Sequence, residues 1–284
     1  MSSTCSFLPC VILLYRGEHL DSLAASTFQN LRKFTFHAGE LCEASGLQDI
    51  RNVLDRNVST LKRLILGATY IDEDDPWASA FESVTIENLT HLSLFTSEIP
   101  GCVLNRITHA PNLQSLTLYG SFAEPQCASE LFATTGFPHL ESFEFVMEDD
   151  DEELYEHVTW HFLRKREKLR RLDLGGCPWE TVQDIISTLS GLRVLAVCID
   201  DLEQIESLVG AIPRQMVAIR LSVDVSDLDK PIVRAFRYLM QLSKLKQLVP
   251  YSLGRIRSLF HSLQHTHLLA PPVILGPSEA YGHV

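Results

Sequence analysis

One short form, LxxLxL, recurs along the whole chain, and it constrains the fold more than any other feature. It appears in NLRKFTF (Leu31, Phe34, Phe36), TLKRLIL (Leu61, Leu64, Leu66), NLTHLSL (Leu89, Leu92, Leu94) and NLQSLTL (Leu113, Leu116, Leu118). It continues in HLESFEF (Leu140, Phe143, Phe145), KLRRLDL (Leu169, Leu172, Leu174) and GLRVLAV (Leu192, Leu195, Val197). Weaker copies are QMVAIRL (Met216, Ile219, Leu221), KLKQLVP (Leu245, Leu248, Pro250) and, near the start, FLPCVIL (Leu8, Val11, Leu13). From the first copy to the last, the first positions are spaced by 23, 30, 28, 24, 27, 29, 23, 24 and 29 residues. A single copy would carry no information. Nine or ten at near-constant spacing mean that one structural unit is repeated.

Within each copy the last four positions alternate between apolar and polar, the pattern of a strand with one buried face. The segments between copies have helical periodicity. Residues 178–190 carry Val182, Ile185, Ile186 and Leu189, residues 201–212 carry Leu202, Ile205, Leu208 and Val209, and residues 47–57 carry Leu47, Ile50, Val53 and Leu54. Strand then helix, at a period of about 20–29 residues, is the signature of a leucine-rich repeat. The expected fold class is α/β: a leucine-rich-repeat solenoid, a curved horseshoe with a parallel sheet on its concave face and helices on its convex face. The reading places one solenoid of nine or ten repeats over residues 1–268. Residues 269–284, with three prolines and no period, form a poorly ordered tail. Pro250 stands at an inward strand position and cannot donate to a ladder, so its strand belongs at an edge.

The stretch EDDDEELYEHVTWHFLRKREKLRRLDL opens with six consecutive acids and ends in a basic cluster. Its middle, residues 152–165, reads as the helix of one repeat, with Leu154, Tyr155, Val158 and Phe162 inward. Acid at the start and base at the end complement the helix dipole. A calcium loop needs spaced acids and a glycine at its sixth position, which neither this run nor IDEDDPW supplies. The cluster Arg164, Lys165, Arg166, Lys168, Arg170 and Arg171 reads as a solvated helix end rather than a nucleic-acid arm, since aromatic interleaving is missing.

A net charge of −12 weighs against general attraction to nucleic acid or anionic membrane. No apolar run approaches the roughly 20 residues that cross a bilayer. Seven cysteines, scattered and never spaced CxxC, read as free thiols of a reducing compartment, so the expected location is cytoplasmic or nuclear. The sequons at Asn57 and Asn88 matter only if the chain is secreted. His157 with His161, and His261 with His265, share helix faces, but Val158 stands where HExxH needs its glutamate. GxGxxG, GxxxxGK[ST] and GxSxG are all missing. The reading therefore expects no catalytic residue, no metal and no cofactor. An enzyme site grafted onto the solenoid is the competing alternative.

Between the inward leucines lie the residues of the opposite sheet face. Strands stack about 4.8 Å apart, so equivalent positions become neighbours. The rows read Lys33, Thr35, His37; Arg63, Ile65, Gly67; His91, Ser93, Phe95; Ser115, Thr117, Tyr119; Ser142, Glu144, Val146; and Arg171, Asp173, Gly175. Phe95 and Tyr119 stand side by side in this register, with Val146 next. Lys33 and Arg63 lie to one side, Glu144 and Asp173 to the other. Exposed aromatics with a charged rim have the make-up of interaction hot spots. The expected partner-binding residues are Lys33, Arg63, His91, Phe95, Tyr119 and Glu144, and the expected partner is a protein or peptide.

The phrases APNLQSLTL, FPHLESFEF and REKLRRLDL resemble the repeats of fungal F-box/leucine-rich-repeat proteins, over about residues 8–268. The resemblance implies an interaction scaffold that recognises substrates for a ubiquitin ligase, with ligase-core subunits among its partners. The family's F-box begins with leucine-proline and a helical bundle. Here Leu8-Pro9 is followed by a strand-like apolar run, so the expectation is that the F-box is missing and no docking residue carries over.

Overall fold

The computed structural model describes residues 10–14, 29–37, 52–68, 86–122, 124–133, 136–146, 158–175, 177, 179–199, 202–223 and 247–251. They fall into two compact units, one of the described residues up to Leu140, the other of those from Glu141 onward. The first unit holds strands β1 (Cys10–Leu14), β2 (Lys33–His37), β3 (Arg63–Ala68), β4 (His91–Ile99) and β5 (Ser115–Phe122). Each pairs in parallel with the next. The second holds β6 (Ser142–Val146), β7 (Arg171–Leu174), β8 (Val194–Ile199), β9 (Ala218–Val223) and β10 (Gln247–Tyr251), paired in parallel in the same manner.

Every one of these strands begins two residues after the first apolar position of an LxxLxL copy. The hydrogen bonds show why. The carbonyl of the residue after that first leucine accepts two N–H groups from the next repeat. In the first unit Arg32 O takes the amides of Lys62 and Arg63, both at 2.9 Å, Lys62 O takes those of Thr90 and His91, and Thr90 O takes those of Gln114 and Ser115. In the second unit Glu141 O, Arg170 O and Arg193 O do the same for the repeats that follow. This shared acceptor locks the register before the ladder starts. Phe34, Leu64, Leu92 and Leu116 are therefore aligned in one unit, and Phe143, Leu172, Leu195 and Ile219 in the other. All of these are buried, as are the first leucines Leu31, Leu61, Leu89, Leu113, Leu140, Leu169 and Leu192. Each full burial contributes roughly 1.5–3 kcal/mol. Even the weakest copies keep register: Val11 pairs with Phe34, and Pro250 with Leu221.

A polar tie reinforces the first unit. Asn57 is buried at the end of the helical residues 52–57. Its Oδ1 accepts the Leu31 N–H at 2.9 Å, and its Nδ2 donates to Val53 O at 2.7 Å. Thr60 Oγ1 donates to Leu31 O at 2.9 Å. Both main-chain groups of Leu31 are thus satisfied by the following repeat, and Asn57 is engaged rather than displayed as a sequon. Asn57→Ala should cost about 2 kcal/mol, because it leaves the buried Leu31 amide without an acceptor. A loss below about 0.5 kcal/mol in urea melts, the range of ordinary surface changes, would show that the tie is dispensable.

Among the described residues, α-helices fill four of the links between strands. In the first unit α1 spans Gly101–Ile107 and α2 spans Pro125–Ala133; in the second α3 spans Trp179–Ile186 and α4 spans Leu202–Ala211. Val182, Ile185, Ile186 and Leu189 are all buried. Of residues 47–57, residues 52–57 are helical with Val53 and Leu54 buried.

Two expectations need correction. The helix expected over residues 152–165 is not regular where it is described: Val158–Phe162 is a π-turn and Leu163–Lys165 a 3-10 turn. Val158, Phe162 and Leu163 are all buried. On an α-helix Leu163 would stand roughly 140° around from Val158, whereas the wider π-turn turns less per residue and brings the two closer to one face. Phe162 packs 4.8 Å from Phe143. Next, Arg166 is not part of a solvated basic cluster. It is buried, its guanidinium lies 4.5 Å from the centre of the Phe162 ring, and burial lowers its pKa to about 10. Cys177 closes the turn that follows β7. It is fully buried, and its N–H donates to Leu174 O at 3.0 Å. The IDEDDPW run, His157, His261, His265 and the tail of residues 269–284 lie outside the described residues.

Candidate functional site

The sheet face of the first unit carries three rows of neighbours. Lys33, Arg63, His91 and Ser115 form one, Thr35, Ile65, Ser93 and Thr117 the second, and His37, Gly67, Phe95 and Tyr119 the third. These are the expected rows, and five of the expected binding residues lie here: Lys33, Arg63, His91, Phe95 and Tyr119. The middle row departs from expectation, since Thr35 and Thr117 are buried rather than displayed. The phenyl and phenol rings of Phe95 and Tyr119 have their centres 6.2 Å apart, tilted by 37°. Tyr119 is 39% exposed and Phe95 half-buried.

The backbone beside this pair is irregular. Pairing of β4 with β5 shifts after Phe95 and resumes at Glu98. Thr96 closes the bulge, its Oγ1 donating to Glu98 O at 3.0 Å. On β5, Gly120 adopts φ 125°, a conformation that favours glycine. Bulges of this kind re-aim side chains. The charge of the first row comes from Lys33 and Arg63. His91 does not add to it at neutral pH: burial, and then the charge of Arg63, hold its imidazole below the ordinary 6.5. Its Nδ1 lies 2.9 Å from Thr90 Oγ1.

The sixth expected residue, Glu144, lies on β6 of the second unit, and so does Val146. There the central row is Glu144, Asp173, Ala196 and Arg220. Ala196 is small enough for Arg220 to reach past it, and Arg220 Nη2 donates to Asp173 Oδ2 at 2.7 Å. The Asp173 side chain is 2% exposed and that of Arg220 46%. Asp173 thus sits in the floor of the face instead of on its surface, and its Oδ1 has no hydrogen-bond partner. Burial pushes its carboxyl up to about 6, helped by the charge of Glu144, although Arg220 and Arg171 pull the other way. Sequence reading missed Arg220. The signal was present, because Arg220 holds in its copy (Ile219, Leu221) the place that Asp173 holds between Leu172 and Leu174. Reading charges down the repeat register would have paired them.

Burial pushes the Cys177 thiol up to about 12, far from the range of a reactive thiolate. Cys127, beside Glu124, is also raised, first by the hydrogen bond from its Sγ to Glu124 Oε2 at 3.1 Å. Among the described residues no three His, Cys, Asp or Glu side chains are grouped to hold a metal, and no helix is long and apolar enough to cross a membrane.

Fold and faces together define an α/β repeat protein built on parallel strands, with aromatic and charged side chains displayed between its buried leucines. No family model matches the chain, and no curated protein does. Among solved structures it is similar to the yeast Rad7–Elc1 complex, with a TM-score of 0.52 and 14% identity over 83% of this chain and 67% of that one. It also matches a Bacteroides fragilis structural-genomics target, with a TM-score of 0.42 and 15% identity over 77% of this chain and 65% of that one. The chain therefore spans about two thirds of the length of each. At this identity the likeness to the yeast structure is one of fold.

Proposed function

We propose that this chain is a non-catalytic protein-interaction scaffold, a leucine-rich-repeat solenoid whose parallel sheet forms a concave binding face. The observation that carries this reading is the Phe95–Tyr119 pair: two aromatic rings on adjacent strands, with Tyr119 the exposed large apolar residue of the described surface. A buried-core protein gains nothing from such a pair, whereas a partner gains two rigid anchors. Lys33, Arg63 and His91 form a polar row on the same unit, while Glu144, also among the expected binding residues, lies on the other unit. In its finer form the reading places the chain with the fungal F-box/leucine-rich-repeat proteins. It would act in the cytoplasm or nucleus as a substrate-recognition part of a ubiquitin-ligase adaptor, with ligase-core subunits among its partners. The fold shared with Rad7, solved in complex with Elc1, supports a protein partner.

The test is capture from cell extract by the native chain and by the double variant Phe95→Ala, Tyr119→Ala. The double variant should melt close to the native chain, because neither ring is fully buried, and should lose a protein that the native chain captures. Undiminished capture of every partner by a folded double variant would remove this face from consideration. Ligase-core subunits among the captured proteins would support the adaptor reading.

A further inference from the structure

We propose that the sheet face of the first unit takes an acidic, carboxylate-bearing segment of a protein partner, held by Lys33 and Arg63 with Arg32 and Lys62 beside them. The inference deepens the scaffold reading above and rests on it, because it names the chemistry of what docks next to the Phe95–Tyr119 pair.

The starting point is a juxtaposition the fold does not need. Lys33 on β2 is directly in register with Arg63 on β3. One residue earlier, the carbonyl of Arg32 accepts the amide of Lys62, so these two are neighbours as well. Four cations thus crowd the start of two adjacent strands, which run about 4.8 Å apart. Arg32, Lys62 and Arg63 are exposed and Lys33 is half-buried. None of the four forms an ion pair with a described carboxylate. Like charges set opposite each other on neighbouring strands weaken a sheet. The repeat tolerates a neutral residue at this position, since Ser115 opens β5 and Ser142 opens β6. A repulsion kept at displayed positions, with no ion pair to relieve it, is relieved by an anion from outside.

The surroundings select what kind of anion. The patch is two strands wide. On its β4 side stand Thr90 and His91, which carry no charge at neutral pH. A nucleic-acid strand has a phosphate at every nucleotide and would run off this patch onto a chain of net charge −12. A peptide confines its charge to a few adjacent side chains. Such a short acidic cluster senses mainly the charges within a screening length of about 8 Å, which here are the four cations. Arg63 offers a carboxylate two parallel donors. Further along the strands the middle row is uncharged, with Ile65 and Ser93 half-buried and Thr35 buried. Four residues from the cations, roughly 13 Å along the sheet, Phe95 stands on β4 with Tyr119 beside it on β5. An extended segment laid along these strands meets cations at one end and aromatic rings at the other. A cluster of acids with an apolar residue four positions on matches both.

The probe is a fluorescein-labelled synthetic peptide of four consecutive glutamates, three glycines and a phenylalanine, followed by fluorescence anisotropy at physiological salt. A peptide with glutamine in place of glutamate and an oligothymidylate of equal length are the comparisons. The full chain should bind the acidic peptide saturably, and the glutamine peptide about tenfold or more weakly, the scale of a lost charged hydrogen bond. The double variant Lys33→Gln, Arg63→Gln should lose about tenfold or more in affinity for the acidic peptide. It should melt no lower than the native chain, because it removes a repulsion. Arg63→Gln alone, at an exposed position, should also bind more weakly and keeps the test decisive if the double variant melts early. Arg193→Gln, an exposed cation of the second unit, should bind as the native chain does. The proposal is overturned by no saturable binding of the acidic peptide, by equal binding of the glutamine peptide, or by native-like binding of the folded cation variants. Tighter binding of the oligothymidylate, or an equal loss with Arg193→Gln, overturns it too. Loss of capture by Phe95→Ala, Tyr119→Ala alongside any of these results leaves the scaffold reading standing without this inference, whereas undiminished capture strikes that reading whatever the peptide does.

Discussion

Leu172→Ala should cost about 2–5 kcal/mol, the range for truncating a leucine in a close-packed core. Leu172 is completely buried on β7, paired with Phe143 on β6 and with Leu195 on β8. Removing its branched end leaves a cavity between residues that belong to neighbouring repeats, so neither neighbour can collapse inward without breaking its own register. Urea denaturation of native and variant chains measures the loss, and a loss below about 1 kcal/mol would mean that the inward row is assigned wrongly. Cys177→Ser gives the comparison. A cysteine at an exposed turn would show little effect. The complete burial of Cys177 changes the expectation to about 1–3 kcal/mol, the cost of moving a hydroxyl into an apolar site.

Stability should also fall as pH rises from about 4 to 6, and Asp173→Asn should abolish that slope. The sign follows from proton binding. The folded carboxyl titrates at about 6 and the unfolded one near 3.8. Between those values the folded state holds a proton that the unfolded state has released, so raising the pH favours unfolding until both are ionised. The displacement corresponds to roughly 3 kcal/mol at most. His91 acts in the opposite direction. Its depressed imidazole makes the unfolded state the better proton binder near 6.5, so it adds stability as pH rises there. That contribution is common to native and Asp173→Asn chains, and the difference between their urea-melt profiles isolates Asp173. A flat difference from pH 4 to 7 would show that Asp173 is ionised throughout, with Arg220 compensating it fully.

The two cases differ in how far the sequence reveals them. Leu172 is legible because burial repeats. Its apolar position recurs in every copy, and the hydrophobic effect acts on each copy alike. Arg220 and Asp173 are 47 residues apart, and their contact depends on a side chain reaching across Ala196. The register brings them within reach, but only packing shows that one is buried and the other covers it. The aromatic pair falls between. Its adjacency follows from register alone, whereas its 6.2 Å spacing and partial exposure depend on the bulge after Phe95 and on Gly120.

By itself the sequence determined where each strand begins, which side chains turn inward and which residues become neighbours along a row, because a strand's two-residue period converts the LxxLxL spacing directly into faces. Only the tertiary structure decided which outward residues are reachable. Thr35, Thr117 and Asp173 have the pattern of surface positions and are buried by the side chains beside them, while Arg166 sits in a charged run and lies against Phe162. Exposure depends on the size and direction of neighbours from other repeats, and no periodicity within a single repeat encodes that.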